Sequence, residues 1–109
     1  MTARELINDS FPPLKLSDTG LRALNWMEEF RLVHIPVVEG IHYLGLISEE
    51  DILKLDSMEQ PLANQTLSLI KPYVTASQPV FEVVKLLSKD KLTLVPVIDD
   101  NKKIGRAHV

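Results

Sequence analysis

The chain repeats itself. Displaced by 60 residues, Pro12 falls on Pro72, Ser17 on Ser77, Leu32 on Leu92, Pro36-Val37 on Pro96-Val97 and Gly45 on Gly105, with no gap between residues 12 and 49. Six identities would mean little alone. The weight lies in residue class: Leu21, Leu24 and Met27 meet Phe81, Val84 and Leu87; Ala23 and Trp26 meet Val83 and Leu86; Ile35 and Val38 meet Val95 and Ile98; Leu44 meets Ile104. A duplication of this kind fixes the architecture before any single element is assigned. A unit this short cannot bury its apolar face alone, so the two halves are expected to share a core. The expected boundaries are 1–59 for the first unit with its lead-in and 60–109 for the second.

Within the first unit, Leu14–Leu16 reads as a short strand. Ser17, Asp18 and Thr19 offer caps for a helix reaching Phe30, with Leu21, Leu24 and Met27 on its apolar stripe beside Ala23, Trp26 and Phe30. His34–Val38 and Tyr43–Ile47 are rich in residues that suit pleated backbone, and the turn at Glu39–His42 joins them. Ser48 is placed to cap a helix whose first turn, Glu49-Glu50-Asp51, carries the charge that the helix dipole favours. The second unit reads the same way. Tyr73–Thr75 is a strand. Ser77 caps a helix with Pro79 in its first turn. Thr93–Ile98 and Lys103–Ala107 are strands about a turn at Asp99–Lys102. Short helical turns are expected at Arg4–Asn8 and at residues 63–70, the latter with Leu67 and Ile70 inward. Each unit is thus strand, helix, strand, strand, helix, an α/β (α+β) arrangement with the second strand central. Two of them packed sheet to sheet about a pseudo-two-fold axis would bury both apolar faces.

Composition narrows the function classes. No apolar run approaches the roughly 20 residues of a membrane span, and MTARELINDS lacks the apolar core of a signal peptide. Cysteine is absent, which removes disulfides, a thiol nucleophile and Cys-based metal sites, and fits a cytoplasmic setting. A net charge of −3 does not suggest a nucleic-acid partner. His34, His42 and His108 show no metal-ligand spacing, and no Gly-x-Ser-x-Gly marks a nucleophile elbow. The chain is expected not to be an enzyme, to need no obligatory cofactor and to hold no metal.

The residues Ile35-Pro36-Val37-Val38 and Leu44-Gly45-Leu46-Ile47-Ser48-Glu49-Glu50-Asp51-Ile52, with Val95-Pro96-Val97-Ile98-Asp99 and Ile104-Gly105 in the second unit, resemble a tandem pair of CBS domains, also called a Bateman module. The resemblance covers nearly the whole chain. It implies a regulatory module that binds AMP, ADP, ATP or S-adenosylmethionine in clefts between the units. In the family pattern Gly-x-hydrophobic-Ser/Thr-x-x-Asp, it makes Asp51 the candidate for the ribose hydroxyls and Ser48 the candidate for phosphate. The chemistry agrees, because a carboxylate can accept from two vicinal hydroxyls and a helix N-terminus favours anions. Leu16, Ser17, Ile35, Pro36 and Leu46 are the candidate base pocket. Glu49 and Glu50 cannot balance phosphate charge, which favours AMP, adenosine or S-adenosylmethionine over a triphosphate.

The second unit departs from the pattern. Ser48 aligns with His108, and the counterpart of Asp51 would fall beyond Val109. That unit is therefore expected to lack its final helix, either because the natural chain continues or because residues from Gly105 or Arg106 onward are not native. The alternative function is a ligand-free assembly domain, a homodimer formed through the helix faces carrying Trp26, Met27, Leu86 and Leu87. Ser48 and Asp51 would then be only a cap and a first-turn acid, worth about 1 kcal/mol to one helix.

Overall fold

The computed structural model describes residues 2, 13–40, 42–92, 94–99 and 102–108. The expected turn at Arg4–Asn8 lies outside them. Among the described residues, five strands and three α-helices follow in the order β1 (Leu14–Lys15), α1 (Gly20–Phe30), β2 (His34–Glu39), β3 (His42–Ser48), α2 (Glu49–Leu53), α3 (Val80–Lys89), β4 (Leu94–Asp99) and β5 (Lys102–His108). A single 3-10 turn, Leu62–Asn64, lies between α2 and α3. The sheet order is β1-β2-β3-β5-β4. The α/β class expected from the sequence is the one found.

The duplication extends to details that the identities do not carry. β1 pairs with β2 in parallel at Leu14↔Val37, and Val74 bridges Val97 in parallel, 60 residues on. The hairpin β2–β3 runs from His34↔Ser48 to Glu39↔His42 with an irregularity between Val37 and Val38. The hairpin β4–β5 runs from Leu94↔His108 to Asp99↔Lys102 with the same irregularity between Val97 and Ile98. After each long helix a non-glycine residue takes the left-handed conformation, Arg31 and Lys91, both at φ 56°. Leu32 and Leu92 then donate back to Met27 and Leu87, each at 2.8 Å.

One core draws on both units: Leu14, Ile35, Val37, Leu46, Ile47 and Ile52 from the first pack in the same cluster as Val74, Val83, Leu87, Leu94 and Val97 from the second. The strand β3 is the seam. At its start His42 pairs with Lys102 of β5. Further along, Leu46 donates to the Ile70 carbonyl at 2.6 Å and accepts from the Ile70 amide at 3.2 Å. The lead-in of the second unit therefore crosses the first unit's last strand. Tyr43 fastens it there by donating to the Pro72 carbonyl at 2.8 Å, and burial pushes the Tyr43 phenol well above its ordinary pKa.

Two local expectations need correction. Residues 63–70 do not form a helical turn with Ile70 inward. Helix-like geometry ends at Asn64, and the Ile70 side chain is half exposed. Its backbone is held extended by Leu46, a partner no local window contains. Nor does Ser77 cap α3. The N-cap is Pro79, with no side-chain hydrogen bond. In the first unit Thr19 stands at the matching place and accepts from the Arg22 amide at 3.2 Å.

Candidate functional site

The sheet delivers Ser48 to the end of β3 and turns the chain there into α2. Ser48 leaves the strand with extended dihedrals and its Oγ accepts from the Asp51 amide at 3.0 Å, as an N-cap does. The same hydroxyl donates to Asp51 Oδ2 at 2.9 Å. Cap and carboxylate thus hold each other. Leu46 and Ser48 lie two residues apart on β3, so they share a face and an edge. The Leu46 edge is where Ile70 pairs, which puts the second unit's lead-in beside the motif strand.

His34 belongs to the same cluster. It stands directly opposite Ser48 across the hairpin, and paired residues of an antiparallel ladder project to one side. Its Nδ1 is buried and has no hydrogen-bond partner. Burial lowers its pKa below the ordinary 6.5, and the Asp51 carboxylate opposes that shift. The sequence reading placed His34 only at a strand start. The signal that could have found it is the hairpin register, which sets it against Ser48.

A pH dependence follows. The unfolded chain takes a proton on His34 near pH 6.5, whereas the folded chain holds out to lower pH. Between those values the unfolded state binds more protons, so stability declines as pH falls below about 6.5. Melting curves at pH 7.5 and pH 5.5 are expected to separate more for the wild type than for His34→Leu. Equal separations would contradict the assignment.

The remaining candidates are not gathered at one point. Ile35 and Leu46 are core residues, 0% and 1% exposed, and Pro36 is buried. Leu16 and Ser17 follow Lys15, which pairs with Val38. That is the far end of β2 from His34 and Ser48, about 13 Å away at roughly 3.3 Å per residue. The Leu16 carbonyl already accepts from Ala63 at 2.9 Å. Leu16 and Ser17 thus stand at the opposite end of β2 from His34 and Ser48. Two cavities flank the crossing instead. One, of about 560 Å³, is lined by Ile70–Tyr73 with Leu86 and Asp90. The other, about 530 Å³, lies between His42–Leu44 and Lys71, Tyr73, Thr75 and Ile98. Ser48 and Asp51 line neither.

Electrostatically the site is acidic. Glu49, Glu50 and Asp51 share the first turn of α2. The ion pairs among the described residues are Arg22–Asp18 and Lys54–Glu50, and neither involves Asp51. Among those residues no cluster of His, Asp or Glu could hold a metal ion, and no helix is long and apolar enough to cross a membrane.

Comparison with known proteins places this geometry. The family model for the CBS domain matches residues 3–57 and again 68–105. Among solved structures, a CBS domain pair/ACT domain protein from Thermotoga maritima superposes with a TM-score of 0.85 at 22% identity, over 100% of this chain and 90% of that one. CBSX2, solved in complex with AMP, gives 0.75 at 24% identity over 98% and 89%. The CBS domain of a bacterial CNNM/CorC family Mg2+ transporter, solved with ATP, gives 0.71 at 21% identity over 99% and 81%. No curated protein matches the chain.

Proposed function

We propose that this chain, which belongs to the CBS domain family, is a non-catalytic regulatory module that binds an adenosine-containing ligand at Asp51 and converts binding into a change in how its two repeats sit. The observation that carries the reading is the Ser48–Asp51 pair at the end of β3, the strand with which both the lead-in and the last strand of the second repeat pair. A ligand held there touches the seam between repeats, and an interaction that differs between two arrangements shifts the balance between them. Asp51 is the ribose residue. Ser48 is better read as the group that orients Asp51, since its hydroxyl is engaged with that residue as both donor and acceptor. The base is read by the lead-in at Ile70–Pro72, where the adjoining cavity of about 560 Å³ falls in the range of small-molecule sites. Two structural relatives carry AMP and ATP, which supports the ligand class. The three acidic residues of α2 favour adenosine, AMP or S-adenosylmethionine over ATP. Calorimetric titration with these four compounds tests the reading. Heat from AMP or S-adenosylmethionine exceeding that from ATP is expected, and no heat from any of them would sink it.

A second reading, assembly as a homodimer, is favoured by the outer faces of α1 and α3. Leu21 is 51% exposed, Phe81 76% and Val84 40%, and Leu21 and Phe81 are equivalent positions of the two repeats. The face differs from the one expected, because Met27 and Leu87 are core residues at 2% and 5% exposure. Light scattering is expected to give twice the chain mass for the wild type and the single mass for a Leu21→Asp, Phe81→Asp double variant. A monomeric wild type at high concentration would exclude this interface.

A further inference from the structure

Among the described residues, one buried side-chain polar atom lacks a partner, and it is Nδ1 of His34. A buried nitrogen left unpaired costs stability, and in a native protein such an atom calls for an explanation, a functional role among them. What surrounds it says what that role is. Ser48 faces His34 across the hairpin, with Cβ atoms on the order of 5 Å apart. Ser48 in turn holds Asp51 Oδ2, and the Asp51 charge reaches the imidazole.

We propose that His34 is a further ligand-contacting residue of the Asp51 site, its Nδ1 accepting a hydrogen bond from a neutral hydroxyl of the bound ligand. The inference rests on the adenosine-ligand reading and adds a residue to it. A hydroxyl suits the place better than a phosphate oxygen. The first turn of α2 carries Glu49, Glu50 and Asp51, which repel an oxyanion. The imidazole, neutral near pH 7, supplies no countercharge. A vicinal diol answers both groups, giving one proton to the Asp51 carboxylate and the other to His34 Nδ1. The sugar is then held from two strands of one hairpin.

Titration of wild type, His34→Leu and His34→Asn with adenosine and with AMP decides it, alongside melting of each unliganded chain. The leucine variant is expected to bind both compounds about tenfold more weakly and yet to melt a few degrees higher, because the unpaired atom is gone. The asparagine variant, which keeps a polar atom near the Nδ1 position, is expected to recover part of the affinity. Unchanged affinity in His34→Leu overturns the inference. So does a loss confined to AMP, which would put the ring on the phosphate. A leucine variant that melts lower or does not fold contradicts the unpaired state. Wild type that binds neither compound is a different failure, visible before any variant is compared, and it removes the adenosine reading itself.

Discussion

An Asp51→Ala chain is expected to bind AMP about a hundredfold more weakly than the wild type while keeping nearly all its stability. A ligand hydroxyl donating to this carboxylate forms a charge-assisted hydrogen bond of roughly 1.5–3 kcal/mol, and losing about 3 kcal/mol is two powers of ten. The structural cost is small because the cap itself survives. Ser48 Oγ bonds the backbone amide of residue 51, which alanine retains. Only the Ser48–carboxylate bond is lost, a part-buried contact worth about 1 kcal/mol. Asp51→Asn should fall between, since one of its two terminal atoms still accepts. Calorimetry and thermal melting on the same samples separate the two effects. Equal affinity in Asp51→Ala would remove Asp51 from the site, and a large drop in melting temperature would make it a structural residue.

Gly45→Ala is expected to be the most damaging small substitution in the described chain. A Cβ at position 45 would stand 2.6 Å from the Ile70 carbonyl oxygen and 3.0 Å from Leu69 Cβ, at a backbone φ of 151°. The obstacle is backbone, so a side-chain rotation cannot relieve it. The lead-in must move, and with it the paired hydrogen bonds between Leu46 and Ile70. Strain and overpacking together should cost about 3 kcal/mol, or roughly 10–15 °C in melting temperature. Gly40 supplies the control. It too has positive φ, 61°, but nothing lies within 4 Å of its imagined Cβ. Gly40→Ala should therefore cost only about 1 kcal/mol. If the two variants melt alike, the crossing is looser than described. Hydrogen exchange at the Leu46 and Ile70 amides would report the same loosening.

The comparison of the two repeats says what a sequence can disclose. Residue class at 60-residue spacing was enough for the duplication and the strand pairing, and the local run Ser48–Asp51 was enough for the cap. Chemistry that changes identity was not. Asp18 Oδ2 accepts from the Lys15 amide at 2.8 Å, and Gln78 Oε1 accepts from Thr75 at 2.7 Å. The same turn is closed by different residues, and the alignment of Asp with Gln conceals it. The extended course of Ile70 was illegible because its partner is Leu46, far off in sequence. For the same reason Gly45 was visible as a position shared by the two repeats, but not as the floor of a crossing. Helical periodicity marked the apolar stripes of α1 and α3 without ranking their depth, so Met27 and Leu87 looked available to a partner when they are core. The Asp51 motif was legible by resemblance, whereas His34 needed the hairpin register.

The proline shared by both repeats has a consequence for how copies of the molecule treat one another. A strand residue points its N–H and C=O toward the same neighbour. The Pro96 carbonyl accepts from Val74 at 3.0 Å on the outer side of β4, so the Pro96 nitrogen also faces outward, away from β5. β4 closes one edge of the sheet, and β1, two residues long, closes the other. Pro36 occupies the matching register in β2. On β4, beside the short bridge at Val74, a foreign strand seeking an amide hydrogen for edge-to-edge pairing meets the Pro96 ring instead, whereas Pro36 lies on an interior strand that β1 covers. In the second repeat, a residue that makes the duplication visible in sequence thus also guards the β4 edge against aggregation.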